Sequence, residues 1–126
     1  MSGMNSQHNR AVWFDIPVVD LERACKFYEA LLGLPVHRET MGKFAFGVLH
    51  HSEGNGGCLI PGTPITEGGV LVYLNVDGRI RSAVAEVEKH GGKVTAPIQS
   101  IGPHGFRAII LDSEGNRMAL HSETDA

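Results

Sequence analysis

Residues 16–20 read IPVVD and residues 72–77 read VYLNVD, and each stretch leads into a segment with helical periodicity. Their apolar and β-branched residues favour strands, and Asp20 at the end of the first stretch can cap a helix through its carboxylate. Apolar residues then recur at helical spacing through residues 21–32 and again through residues 79–89, and glycine ends both runs. The sequence therefore predicts one strand and helix unit twice, at a period of about 55–60 residues.

Three short strands are predicted after each helix. In the first half they cover residues 35–40, 43–49 and 57–60, and in the second half residues 93–96, 106–111 and 117–121. Residues 113–116, Ser-Glu-Gly-Asn, close the last two strands as a hairpin, because glycine accepts a positive φ. The predicted fold class is α+β, with two tandem βαβββ modules.

The chain has 126 residues, which is the size of one domain. We expect a single domain over residues 11–122, with module one at 11–61, a linker rich in Pro, Thr and Gly at 62–69, and module two at 70–122. Residues 1–10 have no apolar periodicity and are expected to form a loose leader.

The composition excludes several classes of partner. Eleven Lys and Arg residues against 14 Asp and Glu residues give a net charge of −3, and no basic run could bind a phosphate backbone. No apolar stretch approaches the roughly 20 residues of a membrane span, so we expect a cytoplasmic protein. Cys25 and Cys58 are not in a CxxC arrangement and are expected to be buried thiols.

Two motifs resemble a known family. The first is IPVVDLERA at residues 16–24, followed by Phe27-Tyr28 and Leu32-Gly33, and the second is DSEGNR at residues 112–117, followed by Leu120-His121. Together they resemble the vicinal oxygen chelate superfamily, which includes glyoxalase I, bleomycin-resistance proteins and extradiol dioxygenases. The resemblance implies two curved four-stranded sheets that form a mixed-sheet cup, with the helices outside and the site on the concave face.

The same resemblance implies positions for metal ligands. Enzymes of this family hold a divalent metal with His and Glu side chains from inward-facing strand positions, a pair from each module. In this sequence those positions correspond to Trp13, Leu71 and Ala119, and to a fourth residue within 58–60. None of them is His or Glu, so we expect no cofactor, with a divalent metal as the less favoured alternative.

Strand alternation assigns further residues to the concave face. If Trp13, Leu71 and Ala119 face the cup, the same parity adds Asp15, Tyr73, Asn75, Arg117 and His121. The opposite parity is apolar, as expected of a face covered by helices. His104 is added because it lies in a glycine-framed loop that enters a strand, and such loops often bind ligands.

Three functions remain open on these residues. The first is metal-independent binding of a small planar or amphiphilic molecule by Trp13, Tyr73, Asn75, His104 and Arg117. The second is a lyase, isomerase, hydrolase or dioxygenase-type enzyme that uses Asp15 and His121 for acid/base chemistry, or a rearranged metal site that adds His104. The third is a protein-interaction module. Purely structural roles also remain open, such as an ion pair of Asp15 with Arg117 or Arg107.

We also expect a homodimer. Short four-stranded modules leave sheet edges and concave surface open, and twofold pairs are the commonest oligomers. The family resemblance implies a dimer in which module one of one chain faces module two of the other.

The first prediction concerns the metal. Protein purified without chelator should carry well under one equivalent of Ni, Zn, Mn or Fe, because the positions implied for ligands hold aromatic and aliphatic side chains. Elemental analysis measures this directly. A stoichiometric metal that survives dialysis would contradict it and would point to His104, His121 and Asp15.

Overall fold

The computed structural model describes residues 9–126 and repeats one order of elements twice. In the first half the elements are β1 (Asp15–Val18), α1 (Leu21–Leu32), β2 (Val36–Met41), β3 (Phe44–Leu49) and β4 (Cys58–Pro61). In the second half they are β5 (Tyr73–Asn75), α2 (Ile80–Val87), β6 (Lys93–Ser100), β7 (Phe106–Leu111) and β8 (Arg117–Ser122). Most of the leader expected at residues 1–10 lies outside the described residues.

Each half forms one four-stranded mixed sheet. The strand orders are β1-β4-β3-β2 and β5-β8-β7-β6. In both sheets the first strand pairs with the last strand in parallel, and the other pairs are antiparallel. The prediction of an α+β fold with two βαβββ modules that form a curved cup is therefore confirmed.

Some boundaries differ from those expected. The alternating pattern predicts the first strand of each half at residues 11–19 and 70–76, but β1 and β5 begin only at Asp15 and Tyr73. The carbonyls of Phe14 and Val72 still accept from the backbone N–H groups of Cys58 and Ala119. Strand β6 runs on to Ser100 through two irregularities in its pairing with β7. The sequence pattern did not predict this extension, because Pro97 has no N–H to donate to the hydrogen bonds between strands. Proline within a strand pattern is evidence against a strand.

The core lies between the helices and one face of each sheet. Ile16 and Val18 of β1, Leu74 of β5 and Val76 directly after β5 are buried there, and α1 packs against α2. Asp15, Tyr73 and Asn75, which alternate with them, are exposed on the concave face. Cys25 and Cys58 are both buried and free, as expected. No helix within residues 9–126 is long and apolar enough to cross a membrane.

The turn between β7 and β8 joins the two modules through buried hydrogen bonds. Asp112, 2% exposed, accepts a 2.6 Å hydrogen bond from the Tyr28 hydroxyl of α1 and further bonds from Asn116. The Asn116 amide also donates to the Pro17 carbonyl of β1. Because buried polar groups need partners, this network orients the turn of module two against module one.

Glu114, in the same turn, binds the start of α1. Its carboxylate accepts from the backbone N–H groups of Val19 and Asp20 at 2.9 and 2.7 Å. The Arg23 guanidinium covers it and donates at 2.7 and 2.9 Å. Burial acts to raise the pKa of Glu114, but the hydrogen bonds from Arg23, Asp20, Ser113 and Val19 outweigh it and lower that pKa to about 2.

The second prediction concerns this carboxylate. Glu114→Gln should lower the free energy of unfolding at neutral pH by about 2–3 kcal/mol, because it loses charge-assisted hydrogen bonds. Because the folded pKa lies below the ordinary 4.5, the stabilisation is complete above pH 4.5 and is lost as the pH falls to about 2. Urea unfolding across this pH range measures both effects.

Glu67→Gln is the matched control, since Glu67 is exposed on the linker and forms no ion pair with any residue from 9 to 126. It should leave both the stability and its acid dependence unchanged. Equal behaviour of the two variants would contradict the assigned role of Glu114.

Candidate functional site

Two neighbouring rows of side chains cross the concave face of module two. Residues directly opposite each other on paired strands point to the same side of a sheet, so the register defines each row. One row takes a polar residue from each strand: Asn75, His121, Arg107 and Gln99. The next row is apolar apart from one phenol and consists of Tyr73, Ala119, Ile109 and Ala96. The concave face of module two is thus amphipathic.

These rows border a cavity of about 460 Å³. Its lining consists of Tyr73, Ile101, His104, Arg107 and His121. Inside it, Nη1 of Arg107 donates to the Tyr73 hydroxyl oxygen at 2.5 Å, and the guanidinium carbon lies 6.0 Å from the Tyr73 ring centroid. The cavity therefore combines an aromatic wall, an aliphatic side chain and convergent polar groups, which is the usual make-up of a small-molecule site.

The hydrogen bond of His121 determines its neutral tautomer. Nε2 of His121 lies 2.6 Å from the His104 carbonyl oxygen. A carbonyl oxygen can only accept, so Nε2 carries the proton and Nδ1 holds the lone pair of the neutral ring. The same contact holds the 101–105 loop against β8.

Gly105 allows this loop to approach so closely. Its φ of +97° is disfavoured for other residues, and a Cβ there would lie 2.5 Å from the Ser122 carbonyl oxygen. Glycine at this position therefore keeps His104 and His121 side by side.

Asp15 and Trp13 belong to a different surface, on module one. The Cys58 thiol donates to Asp15 at 3.1 Å, and Trp13 packs edge-on against His51 with ring centroids 5.8 Å apart. Burial raises the pKa of Cys58 to about 11; the bond to Asp15 adds to this shift and the contact with the Trp13 indole opposes it. A thiol of this kind stays protonated at neutral pH and is a poor nucleophile.

The structure does not bring the candidate acid/base pair together. Asp15 accepts from Cys58 and His121 donates to the His104 carbonyl, and the two side chains line different cavities. Within residues 9–126, no hydrogen bond joins Asp15 to His121 and no ion pair joins Asp15 to Arg107 or Arg117.

Two other candidate ligand-binding residues, Asn75 and Arg117, do not line the cavity of module two. Asn75 accepts from the Asp77 N–H in a local turn, and Arg117 lines a crevice between the modules with Asp15. Tyr73, His104 and His121, in contrast, share the cavity of module two.

Sequence reasoning did not place Arg107 or Ile101 in the site. Arg107 was considered only as an ion-pair partner of Asp15. The turn predicted at residues 113–116 would place Ser122 opposite Arg107, but the loop in the structure covers residues 112–116, so Leu111 pairs with Arg117 and Arg107 with His121. Ile101 reaches the cavity through a loop, whose course no strand pattern predicts.

The register also completes the set of positions implied for metal ligands. Asp15 pairs with Cys58 as Tyr73 pairs with Ala119, so Cys58 is the counterpart of Ala119 in module one. The four positions are then Trp13, Cys58, Leu71 and Ala119, with one protonated thiol as their single donor. This set does not fit a divalent metal, which needs several oxygen, nitrogen or thiolate ligands. Elsewhere in the described chain, no three His, Cys, Asp or Glu side chains come together as a metal site would require.

Comparisons with known proteins agree with this fold. A relative from Didymella fabae, described as a "Glyoxylase-like domain-containing protein", is 29% identical over 121 residues, which cover 90% of this chain and 93% of the relative. A glyoxalase/bleomycin resistance protein from Albidiferax ferrireducens T118 superposes with a TM-score of 0.73 at 21% identity, over 90% of this chain and 98% of that one. A fosfomycin resistance protein from Listeria monocytogenes superposes with a TM-score of 0.67 at 11% identity, over 90% and 93% of the two chains.

At such identities, the two structural likenesses show a shared fold alone. The family assignment comes from the sequence, because the model described as "Glyoxalase/Bleomycin resistance protein/Dioxygenase superfamily" matches residues 10–120. With its two βαβββ modules and matching sequence over nearly its whole length, the chain belongs to the glyoxalase/bleomycin resistance protein/dioxygenase superfamily.

Proposed function

We propose that the protein binds a small organic molecule in the cavity of module two, without the divalent metal used by enzymes of the superfamily. The observation that carries this proposal is the amphipathic lining around Tyr73, Arg107 and His121. An apolar wall supplies contact area, and a few polar groups orient a ligand. The absence of a suitable donor set at the four implied ligand positions supports binding without metal.

An acid/base enzyme is the second candidate, and one observation favours it. The bond to His104 leaves Nδ1 of neutral His121 as a basic nitrogen. Proton transfer by such a group contributes about 10²–10⁴-fold to a rate. His121→Gln would therefore lower the turnover of a substrate by about 10²–10⁴-fold in this case, whereas a protein that only binds would show no turnover to lose.

We also propose a homodimer in which module one of one chain faces module two of the other. Met41 and Phe44 support it, since these apolar side chains of β2 and β3 are 69% and 39% exposed. In such a dimer, Trp13 of one chain would face the cavity beside Tyr73 of the other.

Sedimentation tests this proposal. The expected mass is twice 13.6 kDa at micromolar concentration, because the dimer would cover the open concave faces. A mass of one chain would contradict it.

The ligand proposal is tested by a thermal-shift screen of small organic molecules, with and without divalent metals. Compounds that bind the folded state should raise the melting temperature equally with and without metal. Tyr73→Ala should weaken the best compound by about 10- to 100-fold, since it loses roughly 1.5–3 kcal/mol of apolar burial. In the proposed dimer, where Trp13 faces the cavity of the other chain, Trp13→Ala should weaken it to a similar extent.

Asp15→Ala is the comparison variant, and it should weaken the same compound by less. A typical net hydrogen bond contributes about 0.5–1.5 kcal/mol. An effect of Asp15→Ala larger than those of the aromatic variants, or binding that requires metal, would contradict the proposal.

A further inference from the structure

We infer that the cavity of module two selects a small organic carboxylate, whose oxygens bind Arg107 and Tyr73. This inference rests on the proposed function and adds the chemical class of the ligand.

The positive charge of Arg107 is uncompensated. Among residues 9–126, no carboxylate lies within ion-pair distance of its guanidinium. Arg23, Arg38 and Arg81 are paired, whereas Arg79 and Arg117 also have no ion pair in this range, and Arg79 donates to the Leu31 carbonyl. Arg107 is half-buried on the wall of the cavity, so its charge is less screened than that of a surface side chain. An anionic ligand in the cavity would therefore neutralise the charge of Arg107.

The guanidinium also has unused donors. Its one protein hydrogen bond in the described structure goes from Nη1 to the Tyr73 oxygen, and the buried Nε–H has no partner. A buried donor without a partner is unfavourable, and a guanidinium presents its N–H groups in a planar fork. A small adjustment of the side chain toward a planar anion in the cavity would satisfy this fork.

Tyr73 supplies a second donor. Its oxygen accepts from Arg107, so the hydroxyl proton remains free to donate. The adjacent cation strengthens this donor, and the two side chains together offer N–H and O–H groups to two oxygens. Carboxylates have this two-oxygen planar geometry and bind guanidinium groups in a bidentate manner.

The apolar part of the lining favours an organic anion over an inorganic one. Ile101 and the ring of Tyr73 form the apolar part of the wall. They would contact a hydrocarbon or aromatic body, and they offer no donors to the remaining oxygens of phosphate. We therefore assign a carboxylate attached to a small apolar group.

Benzoate, benzamide and inorganic phosphate test this assignment. They should be titrated into the full-length protein while backbone amide NMR shifts of Ile101, His104 and His121 are followed. Benzamide has nearly the size of benzoate without the charge. Benzoate should bind about 10- to 100-fold more tightly than benzamide, the range for one charge-assisted hydrogen bond, and phosphate should bind more weakly than benzoate.

Substitutions test which side chains bind the carboxylate of benzoate. Arg107→Gln should lose the preference for benzoate, and Tyr73→Phe should weaken benzoate while keeping the aromatic wall. Arg117→Gln is the matched control, because it removes an identical charge from the neighbouring strand, where Arg117 lines the crevice between the modules. It should change benzoate affinity by less than about threefold, as a distant screened charge would.

Several results would overturn the inference. Equal binding of benzoate and benzamide, equal losses in Arg107→Gln and Arg117→Gln, or tighter binding of phosphate would each do so. Loss of a dimer in Arg107→Gln would overturn it too, because the partner of the guanidinium would then be a second copy.

If neutral molecules shift these amides and benzoate does not, the inference fails and the proposed function stands. If no molecule of either kind shifts them, both fail.

Discussion

Glu114 belongs to module two, but its carboxylate is bound by residues before and within the first turn of the helix in module one. A buried carboxylate is costly unless donors surround it, and here the donors are Val19, Asp20 and Arg23 from the other half of the chain. Asp112 in the same turn accepts from Tyr28 of α1. These bonds determine how the two modules meet, and the positions of both concave faces follow from them.

The turn that holds the modules together also sets the register of the candidate site. Residues 112–116 close the hairpin of β7 and β8, and counting back from it places Arg107 beside His121. A slip of one residue in the pairing of β8 with β7 would turn His121 to the face opposite that of Arg107. The polar row on the concave face therefore depends on the same few residues that stabilise the contact between modules.

The side chains at the metal-ligand positions of this fold are not metal ligands in this chain. A fold of this kind supports many activities, and function depends on the side chains placed on it. In this chain, aromatic and aliphatic residues stand at Trp13, Leu71 and Ala119, and a protonated thiol stands at Cys58. The positive charge nearest the cavity is instead a guanidinium on β7, which binds oxygen atoms by hydrogen bonding without coordinating them.

The sequence by itself determined the elements whose signals are local. Helix α1 has the predicted bounds because Asp20 caps it through the Arg23 N–H and Gly33 ends it with a positive φ. Alternation along β1, β5 and β8 likewise identified which residues avoid the core, since side chains in a strand point to opposite faces. Strand β6 was predicted too short because Pro97 gives a local signal against a strand, which pairing with β7 overrides.

Only the tertiary structure decided which polar residues meet. Tyr73 and Arg107 are 34 residues apart, and His121 reaches the His104 carbonyl through a loop that Gly105 brings close. Asp15 and His121 share a predicted face but lie on different modules, and each takes a nearer partner. Strand periodicity specifies a face and not a neighbour, because contacts between distant residues depend on how sheets, loops and modules pack.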